Sequence, residues 1–341
     1  MKLLKYNELN NDSPVVGKVC KFVVYSRSDK DPHKDLNLIK VTNIHEDGTR
    51  TDQLVGIEDY VRDFYTVKPK FRKFKENKDY IDKRLCDKHR STQAKLAMTI
   101  SKIIYGFPDK KADLSMMLNN AYVFGCQATP VVIKHGFFKK YPEYQETEPY
   151  TTAAYDVETN MITGNGTDVI MASTTFKERA YFAAVRWIFP KGWSDTKILE
   201  ALKEHEDRLL SERLARRNCT IEYELFDNQA QVVAANIAKW HEWHPDWIAS
   251  WNATYDMEKN EEALKAYGYN LNKVYSDPGV APEYQYYKFS PGRTHKRKEN
   301  GDSSPLEWQE RFPSVQATAS WQWLDAASFY AIKRAPMGKK D

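Results

Sequence analysis

The sequence predicts an α/β protein with a mixed-sheet domain over residues 151–341, preceded by a smaller β-rich α+β domain over 1–150. Three observations predict it. Past residue 150, three strand-like segments joined by tight turns give way to helix, strand, helix, strand and helix. Before residue 50, the apolar, β-branched stretches are short and punctuated by turn residues. With 341 residues and 41% hydrophobic side chains, the chain can bury two separate cores.

In the first domain, KVCKFVVYSR (Lys18 to Arg27) reads as a strand and SDKDPHKD as the loop after it. LNLIKVTNI and TDQLVGI flank Asp47-Gly48, a strong short-range hairpin signal. From Val67 to Arg90 the chain turns basic, with Lys68, Lys70, Arg72, Lys73, Lys75, Lys83, Arg84, Lys88 and Arg90 among Phe71, Phe74 and Tyr80. Such a stretch either tracks a nucleic-acid backbone or is an irregular solvated face, and composition leaves both open. Gln93 to Tyr105 and Asp113 to Asn119 read as helices, and YVFGCQATPVVIKH (Tyr122 to His135) as strand.

In the second domain, Thr151–Thr159, Thr167–Thr174 and Arg179–Phe189 are the three strands, with Gly164-Asn165-Gly166 turning between the first two. Ser194 is a suitable cap for a helix to Arg217, with Ile198, Leu202, Leu209 and Leu214 as its apolar stripe. Thr220–Phe226 is a strand, and Asp227 or Asn228 caps the next helix, which carries Val232, Val233, Ile237 and Trp240. A short strand over Asp246–Trp251 leads to a helix that ends before Gly268. Glu283 to Ser290 and Ala317 to Asp325 supply further strands, with an exposed tip at Lys296–Ser304, and Ala326–Arg334 is the last helix. This is the element order of a ribonuclease H-like domain, in which the first strand is central and carries the first acid.

That first strand, TTAAYDVETN, sets Asp156 and Glu158 on one face and Tyr155 and Val157 on the other. Two carboxylates side by side on a buried strand are costly without a cation, and hard oxygen donors suit magnesium or manganese. Two solvated acids on a surface strand fit the triplet equally well. Asp256-Met257-Glu258 repeats the spacing, so the triplet alone is not diagnostic. Asp256 ends the run WNATYD, at a strand-to-helix junction where the helix dipole favours an anion.

The two runs in order, YDVET (155–159) and WNATYD (251–256), resemble the first and second exonuclease motifs of family B DNA polymerases, Asp-x-Glu and Asn-x-x-(Phe/Tyr)-Asp. YELFDNQAQVV, WLDAASFYAIKR and YVFGCQATPVVIKHGFFKKYPE are similar to flanking text in phage members, so the likeness runs from about Tyr122 onward. The resemblance implies 3′→5′ proofreading hydrolysis of DNA with two Mg²⁺ or Mn²⁺ ions. Asp156, Glu158 and Asp256 would be the catalytic metal ligands, and Asn252, Tyr255 and Thr159 would hold the single-stranded 3′ end, with Tyr255 equally suited to the core. The family's third motif, Tyr-x-x-x-Asp, does not follow WLDAASFYAIKR. The resemblance therefore implies a separate chain carrying that motif and the polymerase domain, and through it primer-template DNA and a sliding clamp. Asp325 is a candidate substitute acid, though it lies in the Leu-Asp…Tyr segment. A free-standing nuclease and a non-catalytic DNA-guiding subunit are the alternatives.

The net charge of +4 is too small to announce a nucleic-acid binder by itself. Cys20, Cys86, Cys126 and Cys219 lie far apart, without the spacing of a zinc site or a disulfide framework, which suits a reducing cytoplasm. MKLLKYNELNNDS has no apolar signal region and no apolar run reaches membrane length, so a host-cell cytoplasmic protein without a membrane partner is expected.

Overall fold

In the computed structural model, described for residues 2–6, 13–27, 35–58, 61–73, 82–92, 95–109, 117, 120–126, 130–144, 149–162, 166, 168–292, 294–297, 302–306, 311 and 313–334, the chain divides into two units. The first comprises Met1–Glu148 with Gly279–Tyr284, the second Pro149–Pro278 with Gln285–Asp341.

The first unit holds two antiparallel sheets. Strands β1 (Lys2–Tyr6), β2 (Val15–Arg27), β3 (Asp35–His45) and β4 (Arg50–Glu58) order as β1-β4-β3-β2. The β3–β4 turn is the expected one: Gly48 adopts φ +81° and its N–H donates to the His45 carbonyl. Strands β5 (Val61–Val67), β6 (Cys86–Thr92) and β7 (Val123–Phe124) order as β6-β5-β7. Tyr122–His135 is not the strand expected from its β-branched content. Among its described residues only Val123–Phe124 pairs, and a helix opens on Pro130 and runs to Lys140. Proline suits a helix's first position, and burial of Phe137 against Cys20, Ile39, Val41 and Tyr144 outweighs strand propensity. The expected helix at Asp113–Asn119 lies outside the described residues except for Met117. In the described part of the basic stretch, Asp63 pairs with Lys88 at 2.7 Å and Arg90 at 3.4 Å, and Asp82 pairs with Arg84. Phe74, Lys75 and Tyr80 lie outside the described residues.

The second unit is built on a six-stranded mixed sheet, confirming an α/β fold. Its strands are β8 (Thr152–Thr159), β9 (Val169–Phe176), β10 (Arg179–Val185), β11 (Thr220–Phe226), β12 (Trp247–Ser250) and β17 (Gln322–Asp325), ordered β11-β10-β9-β8-β12-β17. β8 lies inside the sheet, antiparallel to β9 and parallel to β12, which is parallel to β17. Smaller pairs join β13 (Tyr287–Ser290) to β16 (Ser314–Ala317) and β14 (His295–Arg297) to β15 (Ser303–Pro305).

Side chains alternate along β8 as the sequence requires: Ala153, Tyr155, Val157 and Thr159 are buried, while Thr152, Ala154, Asp156 and Glu158 are exposed. Helices Gln229–Trp243 and Ala253–Ala266 bury against the first face. Asn228 caps the former, its side chain accepting from Gln231 N–H at 3.1 Å. Trp240 is fully buried; its indole N–H donates to Thr174 Oγ1 at 3.0 Å, and its ring meets Tyr155 edge-on with centroids 4.8 Å apart. Thr174 in turn donates to Asn236 Oδ1, whose amide donates to the Ala172 and Val232 carbonyls, so this buried polar set is satisfied.

On the opposite face, helix Asp195–Leu209, capped by Ser194, packs Ile198 over Ala184 and Leu225 and leaves β8 bare. The strand expected to reach Phe189 ends at Val185, because Arg186 leaves the sheet to bind Asp195 and Asp227. The single helix expected to reach Arg217 breaks at Leu210 (φ −120°). In a straight helix Leu214, sixteen residues past Ile198, would fall about 160° round the axis from it; the break returns Leu214 to the groove over the sheet, while Leu209, just before the break, is exposed.

Trp240→Ala should cost about 3–5 kcal/mol, as for other large core truncations. The same change at half-exposed Trp187 should cost less than about 0.5 kcal/mol. Urea midpoints of the two variants check this pair.

Candidate active site

The six residues singled out from the two motifs sit on two neighbouring elements, β8 and the loop–helix that follows β12. Asp156 and Glu158 share the bare face of β8, opposite Ser173 and Met171 of β9. Neither is desolvated, so the burial cost expected for this pair does not arise there.

The buried carboxylate is Asp256, 3% exposed in the first turn of helix Ala253–Ala266. At that position the helix dipole favours the anion by about 0.3–1 kcal/mol. Burial wins. Desolvation pushes the Asp256 carboxyl up to about 7, with the negative charges of Asp156, Asp325 and Glu158 adding to it. Asp256 Oδ2 and Ser250 Oγ are both buried and neither completes a hydrogen bond. Glu258, two residues on, is exposed, because a helix turns such a pair apart where a strand keeps it together.

The remaining three residues brace this arrangement. Asn252 is the helix N-cap, accepting from Tyr255 N–H at 3.4 Å, and its carbonyl accepts from Asp256 N–H at 3.1 Å. The hydroxyls of Thr159 and Tyr255 share a hydrogen bond of 2.6 Å, tying the end of β8 to the helix. Tyr255 also packs on the core, so its side chain and that of Thr159 are engaged with each other.

Asp325, the candidate substitute acid, ends β17 opposite Ser250. Its carboxylate accepts from the N–H groups of Ala327 (3.1 Å) and Ser328 (3.2 Å) and from Ser328 Oγ (2.6 Å), capping helix Ala326–Arg334. The four acids thus reach the same end of the parallel strands β8, β12 and β17, the usual position of a site in an open α/β sheet.

The spacing of Asp256 and Asn260 as an i, i+4 buried pair was missed in the sequence, although two polar residues inside an otherwise apolar helical stripe were the available signal. Asn260 Oδ1 accepts from Tyr155 OH at 2.8 Å, which fixes the helix on the back of the acid-bearing strand.

An all-oxygen donor set with an orphaned buried carboxylate oxygen suits a hard divalent cation. Among the described residues, no group of three or more His, Cys, Asp or Glu stands in a metal-holding arrangement. Among them, too, no helix is long and apolar enough to cross a membrane. No protein-family model matches the sequence, and no curated protein matches it.

An unfolded aspartate loses its proton near pH 3.8, whereas Asp256 keeps its own in the fold to about pH 7. The folded state therefore binds the extra proton between those values, and stability falls as pH rises from about 4 to about 7. The loss is complete above that window and amounts to at most about 4 kcal/mol. Asp256→Asn should raise the thermal midpoint at pH 8 and leave it unchanged at pH 4. An equal or lower midpoint at pH 8 would show that ionised Asp256 is not a strained group.

Proposed function

We propose that the second unit is a ribonuclease H-like 3′→5′ DNA exonuclease, the proofreading portion of a phage-type family B DNA polymerase. The observation that carries the proposal is the raised Asp256 carboxyl. It feels Asp156 and Glu158 from one motif and stands in the other, 100 residues later in the chain. Sheet order supports the reading as well, since the first strand lies inside the sheet with three strands joined by turns before the first helix.

Asp156, Glu158 and Asp256 would hold divalent ions, magnesium or manganese. Bound, such ions supply charge neutralisation and an activated water for phosphodiester hydrolysis. The chain's own residues prepare the place. The bare face of β8 leaves Asp156 and Glu158 open to substrate. Burial keeps water from Asp256 and holds its carboxyl near neutrality, about half protonated at pH 7, so that a bound cation would favour its ionised form. Asn252 fixes the first helical turn, and the Thr159–Tyr255 bond holds that turn against the strand. The proposal includes a partner polypeptide with the polymerase domain, which would supply the third-motif acid and the primer-template.

A second reading, a free-standing nuclease using Asp325 as a further acid, draws on the charge of Asp325 at Asp256. The three hydrogen bonds that Asp325 accepts weigh against it.

The test is digestion of a 5′-labelled single strand with Mg²⁺ or Mn²⁺, with and without a polypeptide carrying the third motif. Asp156→Ala and Asp256→Ala should each lower the rate by at least about 100-fold while remaining folded. Near-wild-type digestion by either variant removes these acids from the chemistry.

A further inference from the structure

The bare face of β8 does not stop at its acids. Toward the start of the strand it forms the floor of a groove of about 730 Å³, lined by Thr152 and Ala154 of β8, Thr175 of β9 and Ala180 of β10. The wall is helix Ser211–Arg217, which contributes Arg213, Arg216 and Arg217, with Lys177 at the β9–β10 turn. All three arginines are exposed, and among the described residues none has a carboxylate partner. Some cations of the unit are compensated, Arg186 by Asp195 and Asp227 and Lys239 by Glu222 and Glu242, and others such as Lys191 and Lys273 stand singly among the described residues; what sets these three arginines apart is that they cluster along one groove.

Three unpaired guanidinium groups on two helical turns repel one another at a cost to the free protein, and a polyanion removes that cost. The groove shares Ala180 and Ile221 with a neighbouring apolar pocket of about 370 Å³ lined by Phe182, Leu202, Leu209 and Tyr223. Cations beside an aromatic-lined recess provide the two elements that a single nucleic-acid strand uses, phosphate contacts and a surface for a base. Ala154 lies two residues from Asp156 and four from Glu158 on the same pleated face, about 7 and 13 Å along the strand. That is one to two nucleotides of an extended strand.

We infer that this groove binds the phosphate backbone of the single strand whose 3′ end lies at the acids, with Arg213, Arg216 and Arg217 as its phosphate contacts. The assignment rests on the nuclease reading only for the strand's polarity; the groove's affinity for a strand is independent of hydrolysis.

The test compares wild type with the Arg213→Gln/Arg216→Gln/Arg217→Gln protein and a charge-matched control, Lys191→Gln/Lys273→Gln/Lys288→Gln, whose lysines are exposed elsewhere in the unit. Circular dichroism establishes that each is folded. Anisotropy of a fluorescein-labelled 12-nucleotide oligo-dT is titrated in EDTA at several salt concentrations. The arginine variant should bind about tenfold to hundredfold more weakly near 0.1 M salt, with a log–log salt slope shallower by about 2, and the control should match wild type. Equal affinity in the arginine variant, an equal loss in the control, or no binding by wild type overturns the groove. Binding that depends on the arginines, with no digestion in Mg²⁺ or Mn²⁺, leaves the groove standing and removes the nuclease.

Discussion

Four residues, Trp247–Ser250, hold the second unit's site together. β12 pairs in parallel with β8 on one side and β17 on the other, so the acids of three distant chain segments meet only if it is in place. A strand this short makes few ladder bonds, and its start is fastened separately. Asp246 accepts from Thr151 N–H at 2.8 Å and Thr151 Oγ1 at 3.0 Å, while the Asp246 and Trp247 amides both donate to the Thr151 carbonyl. Gln322 N–H donates to the Asp246 carbonyl, adding β17 to the same knot. Register is therefore set at the strand beginnings, and the site at their far ends inherits it.

Given that register, the division of labour between the two faces follows from side-chain alternation. Tyr155 and Val157 draw helices onto one face through Trp240 and Asn260, which makes β8 rigid. Helix Asp195–Leu209 covers only the β9–β11 side of the other face, and the acids occupy what it leaves open. The electrostatic cost is concentrated on a single group, Asp256, rather than spread over the strand pair.

Much of this was legible in the sequence. Alternation in TAAYDVET, the caps Ser194 and Asn228, the Asp47-Gly48 turn and the β11 strand are local signals, and the structure agrees with each. What escaped depends on contacts between distant residues. Pro130–Lys140 is helical because Phe137 finds a pocket, which its β-branched sequence does not announce. The raised carboxyl of Asp256 follows from its burial and overrides the dipole, the one effect that sequence position does reveal. Arg213, Arg216 and Arg217 carry no local signal in the sequence, and only the break at Leu210 sets them along the groove.

Asp325 has a consequence of another kind. One carboxylate closes the first turn of helix Ala326–Arg334 and also adds its field to that of the acids beside it. Fraying of that helix and the charge at the strand ends are then thermodynamically linked. Whatever neutralises the acids lowers the repulsion at the carboxylate that caps those amides, and whatever loosens the helix frees that carboxylate from its three bonds. Protection of the Ala327 and Ser328 amides against hydrogen exchange thus reports, from outside the site, on the charge within it.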